Sequence, residues 1–189
     1  MNFSEDIEAC LSVLNAGGVI LYPTDTVWGL GCDATNNEAV QKIYTIKQRT
    51  ESKALIVLLT EERDVIRYVS QPDLRVFDYL QQTTRPTTVI YPGAIGLAEN
   101  LVAEDGSIAI RLVQDEFCRH LIKRFRKPIV STSANISGQP APAIFPDVSK
   151  KIIEAADYVV HYRRDDLTVR QPSAVVLWND DGTVKVLRG

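Results

Sequence analysis

Behind the apolar pair Ile129-Val130, the stretch Ser131-Thr-Ser-Ala-Asn-Ile-Ser-Gly138 gathers small hydroxyl and amide side chains: Ser131, Thr132, Ser133, Asn135 and Ser137. A buried strand running into such a loop is a favoured ligand position in α/β sheets, at the carboxyl ends of the strands. A second polar group, Thr24, Asp25 and Thr26, follows a short apolar run that ends at Tyr22-Pro23. Four cations, Lys47, Arg49, Arg111 and Arg188, each lie at the end of an expected element beside a polar loop. Hydroxyls converging with cations suit phosphates or a carboxylate, because arginine offers a fork of donors and lysine a point charge. Each piece also has a blander use. Thr24 to Thr26 can satisfy their own turn, and Lys47 with Arg49 can complement a helix dipole.

The elements that must bring these groups together follow from periodicity. Ser4, with Glu5 and Asp6 in the first turn, opens a helix with the stripe Ile7, Leu11 and Leu14, stopped at Gly17-Gly18. Residues 19–22 read as a buried strand and 23–33 as a loop turning at Gly29 and Gly31. Thr35 and Glu38 form a capping box for a helix that ends at Lys47-Gln-Arg49, which places both cations at an exposed helix end. Residues 54–59 are apolar throughout, as in a strand covered on both faces. Helices are expected over 61–69 and 73–82, strands over 87–91 and 107–111, and a long loop over 92–106. A helix opened at Gln114 or Asp115 turns Phe117, Leu121, Ile122 and Phe125 inward and stops at Pro128. After the serine-rich stretch come a helix over 147–156 and a strand over 158–161. Two alternating runs, 174–178 and 183–187, flank Asn179-Asp-Asp-Gly182 and predict a hairpin. Alternation along the extended part of the serine-rich stretch turns Thr132 away from the face of Ser131 and Ser133. This mixture predicts an α/β fold: a single domain over residues 1–189, with an open twisted mixed β-sheet and flanking helices.

Composition narrows the function classes. Hydrophobic residues make up 45 % and charged residues 24 % of 189, enough for a soluble domain with a real core. No run approaches the roughly 18 apolar residues of a membrane helix, and the acidic, polar start is neither a secretory signal nor a transit peptide. The expected compartment is the cytoplasm. Cys10, Cys32 and Cys118 are widely spaced without a C-x-x-C pair, which argues against a disulfide framework and a zinc ribbon. With only His120 and His161, a metal is better expected as Mg²⁺ carried partly by a substrate's phosphates. The net charge of −3 speaks against a general polyanion binder. One basic run, Arg119, His120, Lys123, Arg124, Arg126 and Lys127, reads either as a solvated helix face or as an RNA contact surface. P-loop, G-x-S-x-G, H-E-x-x-H and G-x-G-x-x-G motifs are absent, and the serines lack an evident histidine base. An enzyme made from these parts works by holding reactants together and stabilising charge.

Five segments occur in one order: Tyr22-Pro-Thr-Asp-Thr-Val-Trp-Gly-Leu-Gly31, Lys47-Gln-Arg49, Ser107-Ile-Ala-Ile-Arg111, Ser131-Thr-Ser-Ala-Asn-Ile-Ser-Gly138 and Leu187-Arg-Gly189. Together they resemble the YrdC family, the threonylcarbamoyl-AMP synthases of TsaC type, in the form that has the YrdC domain alone. The resemblance implies a YrdC-like fold and a nucleotidyltransferase that joins L-threonine, bicarbonate or CO₂, and ATP into L-threonylcarbamoyl-AMP with release of pyrophosphate. That product feeds the N6-threonylcarbamoyl modification of adenosine 37 in tRNA. By resemblance Lys47, Arg49, Ser133 and Asn135 form a catalytic, ATP-binding tetrad, joined on the nucleotide by Ser107 and Arg188. Thr24, Arg111, Ser131 and Ser173 match positions that hold L-threonine, with Arg111 suited to its carboxylate. Mg²⁺ would be held mainly by the ATP phosphates rather than by protein ligands. The implied partners are tRNA or downstream threonylcarbamoyl-transfer proteins, and no membrane. The chain departs from the family pattern at Thr50, at Lys53-Ala-Leu55, at Thr84-Arg-Pro-Thr-Thr88 and at Ser173-Ala-Val175.

Two other functions compete. The basic run motivates a non-enzymatic double-stranded RNA or tRNA-binding module. A carbamoyl-AMP step like that of related domains in larger hydrogenase-maturation proteins is the third, and the lack of acylphosphatase and zinc-finger regions argues against it.

Overall fold

The computed structural model describes residues 3–49, 55–179 and 181–189; the departures at Thr50, Lys53 and Ala54 and the start of the expected 54–59 strand lie outside these. In chain order the elements are α1 (Ser4–Asn15), β1 (Ile20–Tyr22), β2 (Gly29–Gly31), α2 (Asn37–Lys47), β3 (Ile56–Leu59), α3 (Glu62–Val65), α4 (Arg75–Gln82), β4 (Thr87–Tyr91), β5 (Ile108–Leu112), α5 (Glu116–Phe125), β6 (Ile129–Ser133), α6 (Lys150–Ala155), β7 (Tyr158–Val159), β8 (Ala174–Trp178) and β9 (Val184–Arg188). Short 3₁₀ turns stand at Glu99–Leu101 and Phe145–Asp147. The strands form one nine-stranded mixed sheet in the order β7-β1-β2-β6-β3-β5-β4-β8-β9. β1 with β7, β3 with β5 and β4 with β8 run parallel, and the other neighbours are antiparallel.

The helices form where their caps and apolar stripes require. Asp115 caps α5 by accepting the Cys118 N–H at 2.9 Å, and the helix buries Phe117, Cys118, Leu121, Ile122 and Phe125. It packs against α1, whose buried positions are Asp6, Ile7, Cys10 and Leu14. At about 1.5–3 kcal/mol for each large side chain taken out of water, this pair of helices is a main source of stability. Asp6 is polar yet only 6 % exposed. Its carboxylate accepts the Tyr158 hydroxyl at 2.7 Å and the N–H groups of His161 and Tyr162 at 2.9 and 2.8 Å. The first helix is thereby fastened to the chain that follows β7, at the sheet edge.

Several sequence expectations move. α1 begins at Ser4 itself, with Phe3 in the cap position and no side-chain cap. Asn36, not Thr35, caps α2, because Thr35 donates its hydroxyl to Asp33 at 2.6 Å. The helix expected over 61–69 is a single turn, α3. The main correction is β2, a strand inside a segment read as a loop. Gly29 and Gly31 carry no side-chain period, so the strand exists through its neighbours β1 and β6. A Cβ on Gly31 would stand 2.6 Å from the Tyr22 ring and 2.8 Å from the Val130 carbonyl oxygen, so only glycine lets these strands approach.

Candidate active site

The site lies on one face of the sheet rather than beyond its strand ends. Strand register sets Arg111 of β5 beside Thr88 of β4, Thr88 beside Val175 of β8, and Val175 beside Arg188 of β9. Ser131 of β6 stands opposite Ile56 of β3, and Gly29 of β2 opposite Ser133. Paired residues in adjacent strands point to the same face, about 4.8 Å apart from strand to strand. The alternate residues Val57, Val89, Ile110, Val130 and Val176 are buried on the other face. A cavity of about 240 Å³ opens over the first row, lined by Thr26, Arg49, Thr88, Arg111, Ser131, Ser133, Ser173 and Arg188 among others. Its described lining holds three arginines and no carboxylate, so it attracts anions.

Arg111 is 3 % exposed. Its Nη2 is 3.1 Å from Asp25 Oδ1, yet the two are not aligned as donor and acceptor. Arg111 Nε and Nη2 and Asp25 Oδ1 are therefore buried without a hydrogen-bond partner. Buried polar atoms without an aligned partner are costly, and a ligand is one way to satisfy them. Beside it Ser173 shares a 2.8 Å hydrogen bond with Thr88 Oγ1, and Arg188 donates from Nε to the Ser173 carbonyl at 3.0 Å and from Nη2 to its hydroxyl at 3.3 Å. Burial, and then the charges of Arg111 and Arg85, hold the Arg188 pKa below its ordinary value.

Lys47 corrects the expectation of an exposed helix end: it is 1 % exposed. Its ammonium donates to the Ser133 carbonyl and, at 2.8 Å, to the Asn135 carbonyl. The Ser137 N–H returns a bond to the Lys47 carbonyl at 2.8 Å, and Asn135 Nδ2 donates to the Gln139 carbonyl at 2.7 Å. Lys47 and Asn135 thus build the loop after β6. Burial, with the charge of Arg49 second, pushes the Lys47 pKa down to about 8. The left-handed Gln48 (φ 52°) ends α2 and turns the chain so that Arg49 borders the cavity. Burial also lowers the Arg49 pKa.

Of the ten residues singled out, six line the cavity: Arg49, Arg111, Ser131, Ser133, Ser173 and Arg188. Lys47 and Asn135 stand just behind, in the loop. Thr24 does not line it: its hydroxyl donates to the Val27 carbonyl and accepts the Thr26 N–H, the self-satisfied turn left open above. Thr26 borders the cavity instead. Ser107 precedes β5, a strand length from Arg111, and its N–H bonds Asp105. Thr132 also borders the cavity, while the register of β6 pairs it with Leu30, out of phase with Ser131 and Ser133. Thr26 and Thr88 were missed as site residues; the polar Thr88 inside an apolar strand was the available signal. The basic run is engaged locally. Arg124 pairs with Glu8 at 2.6 Å, Lys123 with Glu61 at 3.1 Å and Lys127 with Asp33 at 2.6 Å, as on a solvated helix face. No described helix is long and apolar enough to cross a membrane.

Comparison with known proteins identifies relatives of the chain and of its fold. The Sua5/YciO/YrdC family model, described as "Telomere recombination", matches residues 12–189. A threonylcarbamoyl-AMP synthase of Pseudoalteromonas translucida is 32 % identical over 192 residues, covering 100 % of both chains. Another, of Vibrio campbellii, is 31 % identical over 188 residues, covering 97 % of this chain and 98 % of the other. Among solved structures, P. abyssi Sua5 complexed with L-threonine superposes with a TM-score of 0.85 at 21 % identity, over 97 % of this chain and 54 % of that one. E. coli YciO superposes with a TM-score of 0.83 at 21 % identity, over 97 % and 88 %. These likenesses share the fold, with this chain spanning about half of Sua5. A family match across most of the chain, together with full-length relatives above 30 % identity, places the chain in the Sua5/YciO/YrdC family.

Proposed function

We propose that this cavity joins L-threonine, bicarbonate or CO₂, and ATP into L-threonylcarbamoyl-AMP, releasing pyrophosphate. The observation that carries the proposal is the buried Arg111 guanidinium, without an aligned acceptor, at a cavity with two further arginines and no acid in its described lining. The names of the full-length relatives point the same way.

The L-threonine carboxylate meets Arg111, and Ser131 and Ser173 offer hydroxyls to its polar groups. The threonine amine captures CO₂ as a carbamate. A carbamate oxygen attacks the α-phosphorus of ATP, and the bond to pyrophosphate breaks. No enzyme nucleophile is needed. Arg49, Ser133 and Arg188 face the phosphates, and Lys47 with Asn135 holds the loop that presents Ser133. Mg²⁺ arrives with ATP, carried by its phosphates. The main physical task is to hold two anions against their repulsion, and such alignment contributes about 7–11 kcal/mol to rate in general. Thr24 serves through its loop, and Thr26 takes the cavity position. The adenylate then serves tRNA modification, handed to a downstream threonylcarbamoyl-transfer protein.

Incubation with ATP, Mg²⁺, bicarbonate and labelled L-threonine yields a labelled adenylate and pyrophosphate under this reading. Absence of both products across the neutral to alkaline range, with folded protein, refutes it.

A further inference from the structure

Asp25 lies outside the cavity lining and stands behind Arg111. Arg111 is buried and Asp25 half-buried, and the Asp25 Oδ1 to Arg111 Nη2 distance is 3.1 Å. Asp25 is itself held in place. Its Oδ2 accepts the Gln114 N–H at 3.4 Å. Thr24, one residue before, is locked by its own turn, and Arg163 Nη2 donates to its carbonyl at 2.9 Å. Arg163 Nη1 in turn pairs at 3.0 Å with Asp115, the cap of α5. Three segments, 23–27, 113–118 and 160–164, thus meet to fix one carboxylate against one guanidinium.

We propose that Asp25 is a positioning residue that neutralises and aims Arg111 for the carboxylate of the amino-acid substrate. The inference rests on the reading that Arg111 receives that carboxylate. A guanidinium buried this deeply, with Arg188 nearby, needs a counter-charge to stay in place before substrate arrives. Asp25 supplies it from outside the cavity lining. Because the two groups are close but misaligned, Asp25 does not consume the hydrogen bonds of Arg111. Of the guanidinium nitrogens, Nε and Nη2 have no hydrogen-bond partner, so their donors remain uncommitted. Arg111, held in place by Asp25, is what favours an amino acid with a free carboxylate over one without.

The test is calorimetric titration with L-threonine and with L-threoninol, its alcohol analogue without a carboxylate, on wild type, Asp25→Asn, Asp25→Glu, Arg111→Gln and Asp25→Asn/Arg111→Gln. Wild type favours L-threonine, and Arg111→Gln abolishes the preference. Asp25→Asn weakens L-threonine binding about tenfold, with ATP affinity unchanged. Asp25→Glu, which keeps the charge, recovers part of that loss, and the double variant binds no worse than Arg111→Gln alone. If Arg111→Gln loses L-threonine while Asp25→Asn does not, or if the two losses add in full, the positioning role is overturned and the carboxylate reading stands. If Asp25→Glu and Asp25→Asn lose binding equally, the charge is not what acts, and the proposal also falls. If Arg111→Gln binds L-threonine as wild type does, the carboxylate reading itself fails, and the role of Asp25 with it.

Discussion

Removal of Lys47 strikes both the fold and the nucleotide. At 1 % exposure its ammonium is the donor to two backbone carbonyls, Ser133 and Asn135. Lys47→Ala strips both at once; the Ser133 carbonyl keeps the Asn135 N–H at 2.9 Å, while the Asn135 carbonyl is left without its donor, at a cost of about 1–3 kcal/mol. A loss of about 2 kcal/mol corresponds to a drop in Tm on the order of 5 °C for a chain of this length. Had the side chain stood at an exposed helix end, the change would be within about 0.5 kcal/mol. The loop from Ser133 to Gln139 loses its anchor, so ATP affinity falls together with stability. A pH series isolates the charge. The folded pKa of about 8 lies below the ordinary lysine value of 10.5, so between these values the unfolded chain binds more protons than the folded one. Stability from this group therefore rises with pH through that window and is lowest below about pH 8. Calorimetric unfolding of wild type and Lys47→Ala from pH 7 to pH 10.5 gives a Tm gap that widens as pH rises. An unchanged Tm at pH 7, combined with a loss of ATP binding, would show that Lys47 acts on the nucleotide alone and refute the argument.

Two further outcomes probe the frame around the site. Asp6→Asn turns an amide donor toward the donors Tyr158, His161 and Tyr162 and lowers stability by about 2–3 kcal/mol, read by urea unfolding. Burial raises the Asp6 pKa, but the hydrogen bonds from His161, Tyr158 and Tyr162 outweigh it and leave the pKa below 3.8. The contribution of Asp6 is thus intact above pH 3.8 and is lost as pH falls through its lower folded value; a wild-type to Asp6→Asn gap that persists in stronger acid contradicts this. Gly31→Ala forces a Cβ against the Val130 carbonyl and the Tyr22 ring and costs about 1–3 kcal/mol. A neutral result in thermal unfolding would mean that β1, β2 and β6 shift apart freely.

What the sequence determined by itself was local. The apolar stripe of α5, with its start at Gln114 or Asp115, the β8–β9 hairpin and the mixed α/β class followed from periodicity, cap chemistry and the Asp-Gly turn, which act within a few residues. The residue types of the site, the serines of the β6 stretch and the separated cations, were also visible, and their order along the chain pointed to the family. Tertiary structure decided which of them meet. Arg111, Thr88 and Arg188 share one face because three strands pair in a particular register, and register is a non-local choice. β2 exists only between β1 and β6, since two glycines carry no pattern of their own. Lys47 is buried because the loop after β6 closes over the end of α2, and the pairing of Asp25 with Arg111 spans nearly half the chain. Burial and charge pairing arise from contacts between distant segments, and for that reason the roles of Lys47 and Asp25 emerged only in the folded protein.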